Sequence, residues 1–150
     1  MMGTGYRQPT GKGAAIAALQ SALAAEQAAS YGYGVAGAHL TGSAFKAASA
    51  DCVLHERARD NLVKMITALG ATPGPAAVAY KLPISVRTAD DAADLAVDLE
   101  LSVVSSYLSL AAVPDPALRR LAAKTMQAAA VRAARWGAPS RAFPGLATPR

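Results

Sequence analysis

Long stretches of helical periodicity fill most of this chain, and they are broken in only three places. The breaks fall at Gly42, across residues 71–88, and at the VPDP stretch beginning at Val113. The middle break is much the longest, and it constrains the topology most. From about Lys12 to Leu40, apolar residues recur at helical spacing (Ile16, Leu19, Leu23, Tyr33, Leu40), and Gly42 is a stop. Ser43 is the expected cap of a second helix running to about Leu69, with Gly70 ending it. Residues 71–88 (ATPGPAAVAYKLPISVRT) carry prolines and no sustained period, so they form a connection. A third helix is expected from Ala89 to Ala112. Thr88 caps it, and Asp90, Asp91 and Asp94 lie near the positive end of its dipole. Asp115 then caps a fourth helix, with Pro116 at its first position, that ends near Trp136.

Four such helices predict an all-α four-helix bundle over residues 12–137. A flexible arm at 1–11 and a Pro/Gly-rich tail at 138–150 flank it. A second helix of this length is roughly 40 Å long. A connection the length of 71–88 reaches up to about 60 Å when extended. It can therefore return along the whole bundle and set helix three parallel to helix two, a long crossover between helices 2 and 3.

Composition narrows the function classes. The chain has 150 residues, enough for one domain with its own core. The net charge of +5 is spread out, with no basic run longer than Arg119-Arg120, so nucleic acid is not an expected partner. The single cysteine, Cys52, excludes an internal disulfide. The first residues, MMGTGYRQPTGKG, show no apolar signal region, and no stretch is apolar enough for a membrane span. A soluble cytoplasmic protein is expected, with no membrane partner.

The inner stripes carry unexpected polar residues. Along helix one the stripe is Ile16, Leu19, Leu23, Glu26, Ser30, Tyr33, Gly37, Leu40, so Glu26 sits where a solvated carboxylate would not. Helix two gives Phe45, Ala48, Cys52, His55, Arg59, Leu62, Ile66, Leu69. Helix three gives Ala93, Val97, Glu100, Val104, Tyr107 and Ala111, and helix four Leu118, Leu121, Thr125, Ala128, Arg132, Arg135. Counted from the helix ends, Glu26, His55 and Glu100 fall at one level, with Tyr33, Arg59, Tyr107 and Arg132 a turn or two away. His39 lies off the stripe, at the surface.

This pattern resembles the ferritin-like superfamily. The segments AAEQAASYGYGVAGAHL, HERARD, VAYKLP, the DLE of helix three and AAVRAARW are similar to a bacterial ferritin-like domain of unknown function over about residues 14–145. The resemblance implies a ferritin-like bundle and a possible di-iron site: a Glu on one helix and Glu-x-x-His on the next, repeated on the second pair. Here Glu26 and Glu100 match the carboxylates. Cys52 stands where the Glu of Glu-x-x-His55 would be, and helix four offers Ala128-Ala129-Ala130-Val131. Where that family often follows its first Glu with His, this chain has Gln27. A two-metal site needs about six protein ligands, so the di-iron site is expected to be incomplete.

Two readings of the inner residues then compete. In one, Arg59 and Arg132 neutralise Glu26 and Glu100, His55 hydrogen-bonds a carboxylate, and no cofactor is expected. In the other, Glu26, His55 and Glu100 hold a single Fe, Mn or Zn ion, in a metal-binding protein or a metal-dependent oxidoreductase. The first fits a non-storage binding or interaction module. Its expected partners are a small ligand or a second copy of the chain, the latter through alanine-rich outer faces.

Overall fold

A computed structural model describes residues 11–140, and among these there are helices and no strands. The helices are α1 (Gly11–Gly37), α2 (Gly42–Ala68), α3 (Ala89–Ser106), α4 (Leu108–Ala111) and α5 (Pro116–Arg135). The expected arm and tail lie outside the described residues, apart from Gly11 and residues 138–140.

The helix ends follow local chemistry. Thr88 accepts from the Asp91 backbone N–H, while the Asp91 carboxylate accepts from the Thr88 N–H, a capping box that starts α3. Asp115 accepts from the N–H groups of Ala117 and Leu118, with Pro116 at the first position of α5. At the end of α2, Gly70 takes φ +79°. Its N–H donates to the Thr67 carbonyl, and the Ala71 N–H donates to the Ile66 carbonyl. This Schellman closure needs a left-handed residue, which glycine supplies.

Three boundaries differ from expectation. The first helix stops at Gly37, and α2 starts at Gly42 behind Thr41 instead of after Ser43. Thr41 is extended but makes no side-chain cap bond, so backbone geometry alone sets this start. The expected third helix is interrupted at Tyr107 and resumes as the single turn of α4.

Leu19, Leu23, Leu62, Ile66, Leu95, Val103 and Leu110 are fully buried, with alanines filling the space between helices. Gly32 lets α1 and α3 come close. A Cβ there would sit 2.6 Å from Leu99 Cδ1. Phe45, expected on the inner stripe, is instead 48% exposed.

Side-chain pairings fix the helix directions. His55 meets Glu26 and Cys52 meets Ser30, so α2 runs against α1. Tyr33 meets Glu100 and Tyr107 meets Glu26, so α3 also runs against α1. The connection lies alongside α1. Gln20 donates to the Thr72 carbonyl and accepts from the Gly74 N–H, Gln27 donates to the Gly74 carbonyl, and Tyr31 packs on Tyr80. Gln27 thus anchors the connection. In this order α1 packs on α2 and α3, and α5 packs on α3 and α4, while α2 and α5 face each other without close backbone approach.

Candidate functional site

A buried polar cluster lies at mid-height, supplied by four helices. Glu26 and Tyr33 come from α1, two turns apart. Glu100 and Tyr107 lie at the same spacing, Glu100 on α3 and Tyr107 at its end. Because the two segments are antiparallel, each tyrosine reaches the other segment's carboxylate. Tyr33 donates to Glu100 Oε1 at 2.6 Å, and Tyr107 donates to Glu26 Oε1 at 2.7 Å. Thr125 of α5 lines the same hollow as Tyr107.

His55 of α2 sits between the carboxylates. Its Nδ1 is 2.6 Å from Glu26 Oε2 and its Nε2 is 3.1 Å from Glu100 Oε1. The ring also stacks on Tyr33, with centroids 5.3 Å apart. Burial alone would lower the His55 pKa. Hydrogen bonds donated to Glu100 and Glu26, and the charges on both, outweigh that and push it up to about 9. The residue is therefore an imidazolium at neutral pH and donates from both nitrogens.

Arg132 of α5 completes the cluster, donating from Nε to Glu100 Oε1 at 2.8 Å. Burial would raise the Glu100 pKa, but the hydrogen bonds and charges of His55 and Arg132 overcome it and hold the carboxyl below its usual range. Desolvation, together with the neighbouring carboxylates, pushes both tyrosines well above their ordinary values, so they remain hydrogen-bond donors. Two carboxylates face an imidazolium and a guanidinium, and the formal charges cancel. Burying charge is tolerable only when it is compensated in this way. One acceptor is left over: Glu100 Oε2 is buried and has no hydrogen-bond partner among the described residues.

Arg59 was expected in this cluster, and the structure corrects that. It points outward and binds its neighbour Asp60, with Nη2 2.9 Å from Oδ1, and its side chain is 35% exposed. Leu62 holds the inner face instead and is fully buried. Cys52 also lies at the margin of the cluster, its thiol directed to the Ser30 carbonyl at 3.5 Å. Burial and the nearby Glu56 raise its pKa, only partly offset by Arg59, so the thiolate is disfavoured. His39 is exposed, as expected.

The sequence reading missed Asp51. It is buried one turn before His55 on α2 and bound by Arg135 Nη2 at 2.9 and 3.1 Å and by Trp136 Nε1 at 2.9 Å. The available signal was its position four residues before His55, on the same face.

Among the described residues, no group of three or more His, Cys, Asp or Glu side chains is arranged to hold a metal ion.

No curated protein matches the chain. Among solved structures, it is similar to a conserved hypothetical protein, Rv2844, from Mycobacterium tuberculosis. The two share 34% identity with a TM-score of 0.78, over 82% of this chain and 94% of that one. A family model described as "Domain of unknown function (DUF4439)" matches residues 18–148. That match spans most of the chain, which therefore belongs to this family of domains of unknown function.

Proposed function

We propose that this protein is a binding module built on a ferritin-like crossover bundle, with a charge-paired cluster at the level where di-iron proteins hold metal. The contact order supports the crossover: α2 and α3 both run against α1, and the connection between them lies along α1. The observation that carries the binding-module reading is the capture of both core carboxylates by the protein's own cations and hydroxyls. A metal would have to displace one ring proton of His55 and sit beside the Arg132 guanidinium, which repels cations. The lone cysteine is compatible with a reducing cytoplasm.

Elemental analysis of protein purified without chelator, before and after loading with Fe(II), Mn(II) or Zn(II), tests this reading. It predicts less than stoichiometric metal under every loading. One metal per chain, lost in His55→Ala, would defeat it.

One observation favours a second reading. The unpartnered Glu100 Oε2 leaves an open acceptor beside Glu26 and His55, so a single Fe, Mn or Zn ion on these three residues is the alternative. The same loading experiment separates the two.

A further inference from the structure

The seam between α2 and α5 holds two hollows in line. One, of about 580 Å³, is floored by Leu54, Leu62, Met65 and Leu121 and reaches Tyr107. The other, of about 470 Å³, is lined by Leu54, Val131, Lys124, Arg132 and Arg135. Leu54 borders both. The seam runs from Asp51 opposite Arg135 to Met65 opposite Leu121, roughly 21 Å at the α-helical rise. Each volume lies within the range of about 300–1,000 Å³ usual for small-molecule sites.

Cations border both hollows, Arg57 and Lys64 the first and Lys124, Arg132 and Arg135 the second, but only the second holds arginines fixed to buried carboxylates. Across both hollows the basic residues Arg57, Lys64, Lys124, Arg132 and Arg135 face a single acid, Asp51. Asp51 is itself already held by Arg135 and Trp136. The two arginines are braced from behind: Arg132 spends Nε on buried Glu100, and Arg135 spends Nη2 on buried Asp51. Their other guanidinium nitrogens remain for the hollow they line. Braced, forked donors suit a carboxylate or phosphate. Leu54 and Val131, 46% and 62% exposed, lead from that end onto an apolar floor. A nucleic acid would use the charge but not the floor.

We propose that the α2–α5 groove binds a single-chain anionic amphiphile. Its acid head pairs with Arg132 and Arg135, and its hydrocarbon tail lies over Leu54, Leu62, Met65 and Leu121. This rests on the binding-module reading and names the ligand class.

Trp136, the chain's only tryptophan, bonds Asp51 at the head end and serves as an intrinsic reporter. The full chain is titrated with laurate below its micelle concentration, and with dodecyl phosphate, dodecanol, acetate and inorganic phosphate. Saturable binding of one laurate or dodecyl phosphate per chain is expected, with dodecanol about tenfold weaker, the worth of one charged hydrogen bond. Acetate and phosphate should give no response. Arg135→Gln should weaken laurate by about tenfold and Leu54→Asp should abolish binding, while Arg59→Gln leaves it unchanged. Lys124→Gln replaces Arg135→Gln if circular dichroism shows the latter misfolded, with a smaller weakening expected.

Absence of saturable laurate binding overturns the proposal. So does dodecanol binding as tightly as laurate, or an unaffected Leu54→Asp. An acidic amphipathic peptide binding where laurate does not would mark a protein-docking groove and also overturn it. Failure here is separable from failure of the binding-module reading. Stoichiometric core metal defeats that reading whatever the groove does, whereas metal-free protein that ignores laurate defeats only the groove.

Discussion

The α1–α3 seam and the α2–α5 seam lie on opposite sides of the same bundle and are built on opposite principles. Along α1–α3, a glycine under Leu99 lets the backbones close, and two Glu–Tyr pairs reach across reciprocally. Along α2–α5 the backbones stand apart, long cationic side chains line the gap, and Asp51 with Arg135 bridges the seam at one end. His55 and Arg132 connect the two sides, since each comes from an open-seam helix and ends on a closed-seam carboxylate. The bundle concentrates its compensated charge in the closed half and leaves cations exposed in the open half. Stability is therefore expected to depend on the first seam and recognition on the second.

The largest expected effect that can break this contrast is His55→Leu. It leaves two buried carboxylates with one buried cation, Arg132, and should cost about 3–5 kcal/mol in denaturant unfolding. A loss below 1 kcal/mol would mean the cluster is not a charge-balanced unit.

pH comes next. The folded pKa of His55 is raised from 6.5 to about 9. Its contribution is therefore fully present below about pH 6.5 and is lost as pH rises through about 9. The size is about 3 kcal/mol, from the linkage between pKa and stability. On the acid side the sign reverses, because the Glu100 pKa is lowered, and its contribution is lost as pH falls below the usual carboxylate range. Unfolding free energies measured from pH 6 to 9 should fall in wild type and change much less in His55→Leu, with the raised Tyr33 and Tyr107 lowering both proteins only above about pH 9.

A smaller pair of changes sharpens the contrast at backbone level. Gly32→Ala drives a methyl into Leu99 and should cost about 1–2 kcal/mol even after the helix-propensity gain. Gly34→Ala, two residues on, meets nothing within 4 Å and should stabilise by about 0.5–1 kcal/mol. Thermal melts of both variants check the opposite signs. The smallest effect is expected for Arg59→Leu, within about 0.5 kcal/mol, because its partner is exposed Asp60.

The cluster was largely legible in the sequence because helical periodicity and helix length together fix angle and height. Glu26, His55 and Glu100 could be set at one level by counting from the caps, and Tyr33, Tyr107 and Arg132 by adding turns. On α2 the count went astray, since steps of three and four both fit an apolar stripe. Relative to His55, Arg59 is turned by about 40° to one side and Asp51 by about 40° to the other. The bundle accepted Asp51, because Arg135 and Trp136 wait for it from α5. Nothing local to α2 records that partnership. The break at Tyr107 was equally hidden, since its hydroxyl is held by Glu26 on another helix. The open α2–α5 seam was invisible for a related reason: periodicity shows which face turns inward, but not how far apart two inward faces finally stand.

The account turns on what neutralises Glu26 and Glu100. Nitrogen-detected NMR of His55 across pH, repeated with one equivalent of Mn(II) or Zn(II), tests this most directly. The account predicts protons on both Nδ1 and Nε2 through neutral pH, loss of one proton near pH 9, and no change with either metal. A single neutral tautomer at pH 7, or a His55 signal shifted by stoichiometric Zn(II) or broadened by stoichiometric Mn(II), would contradict it.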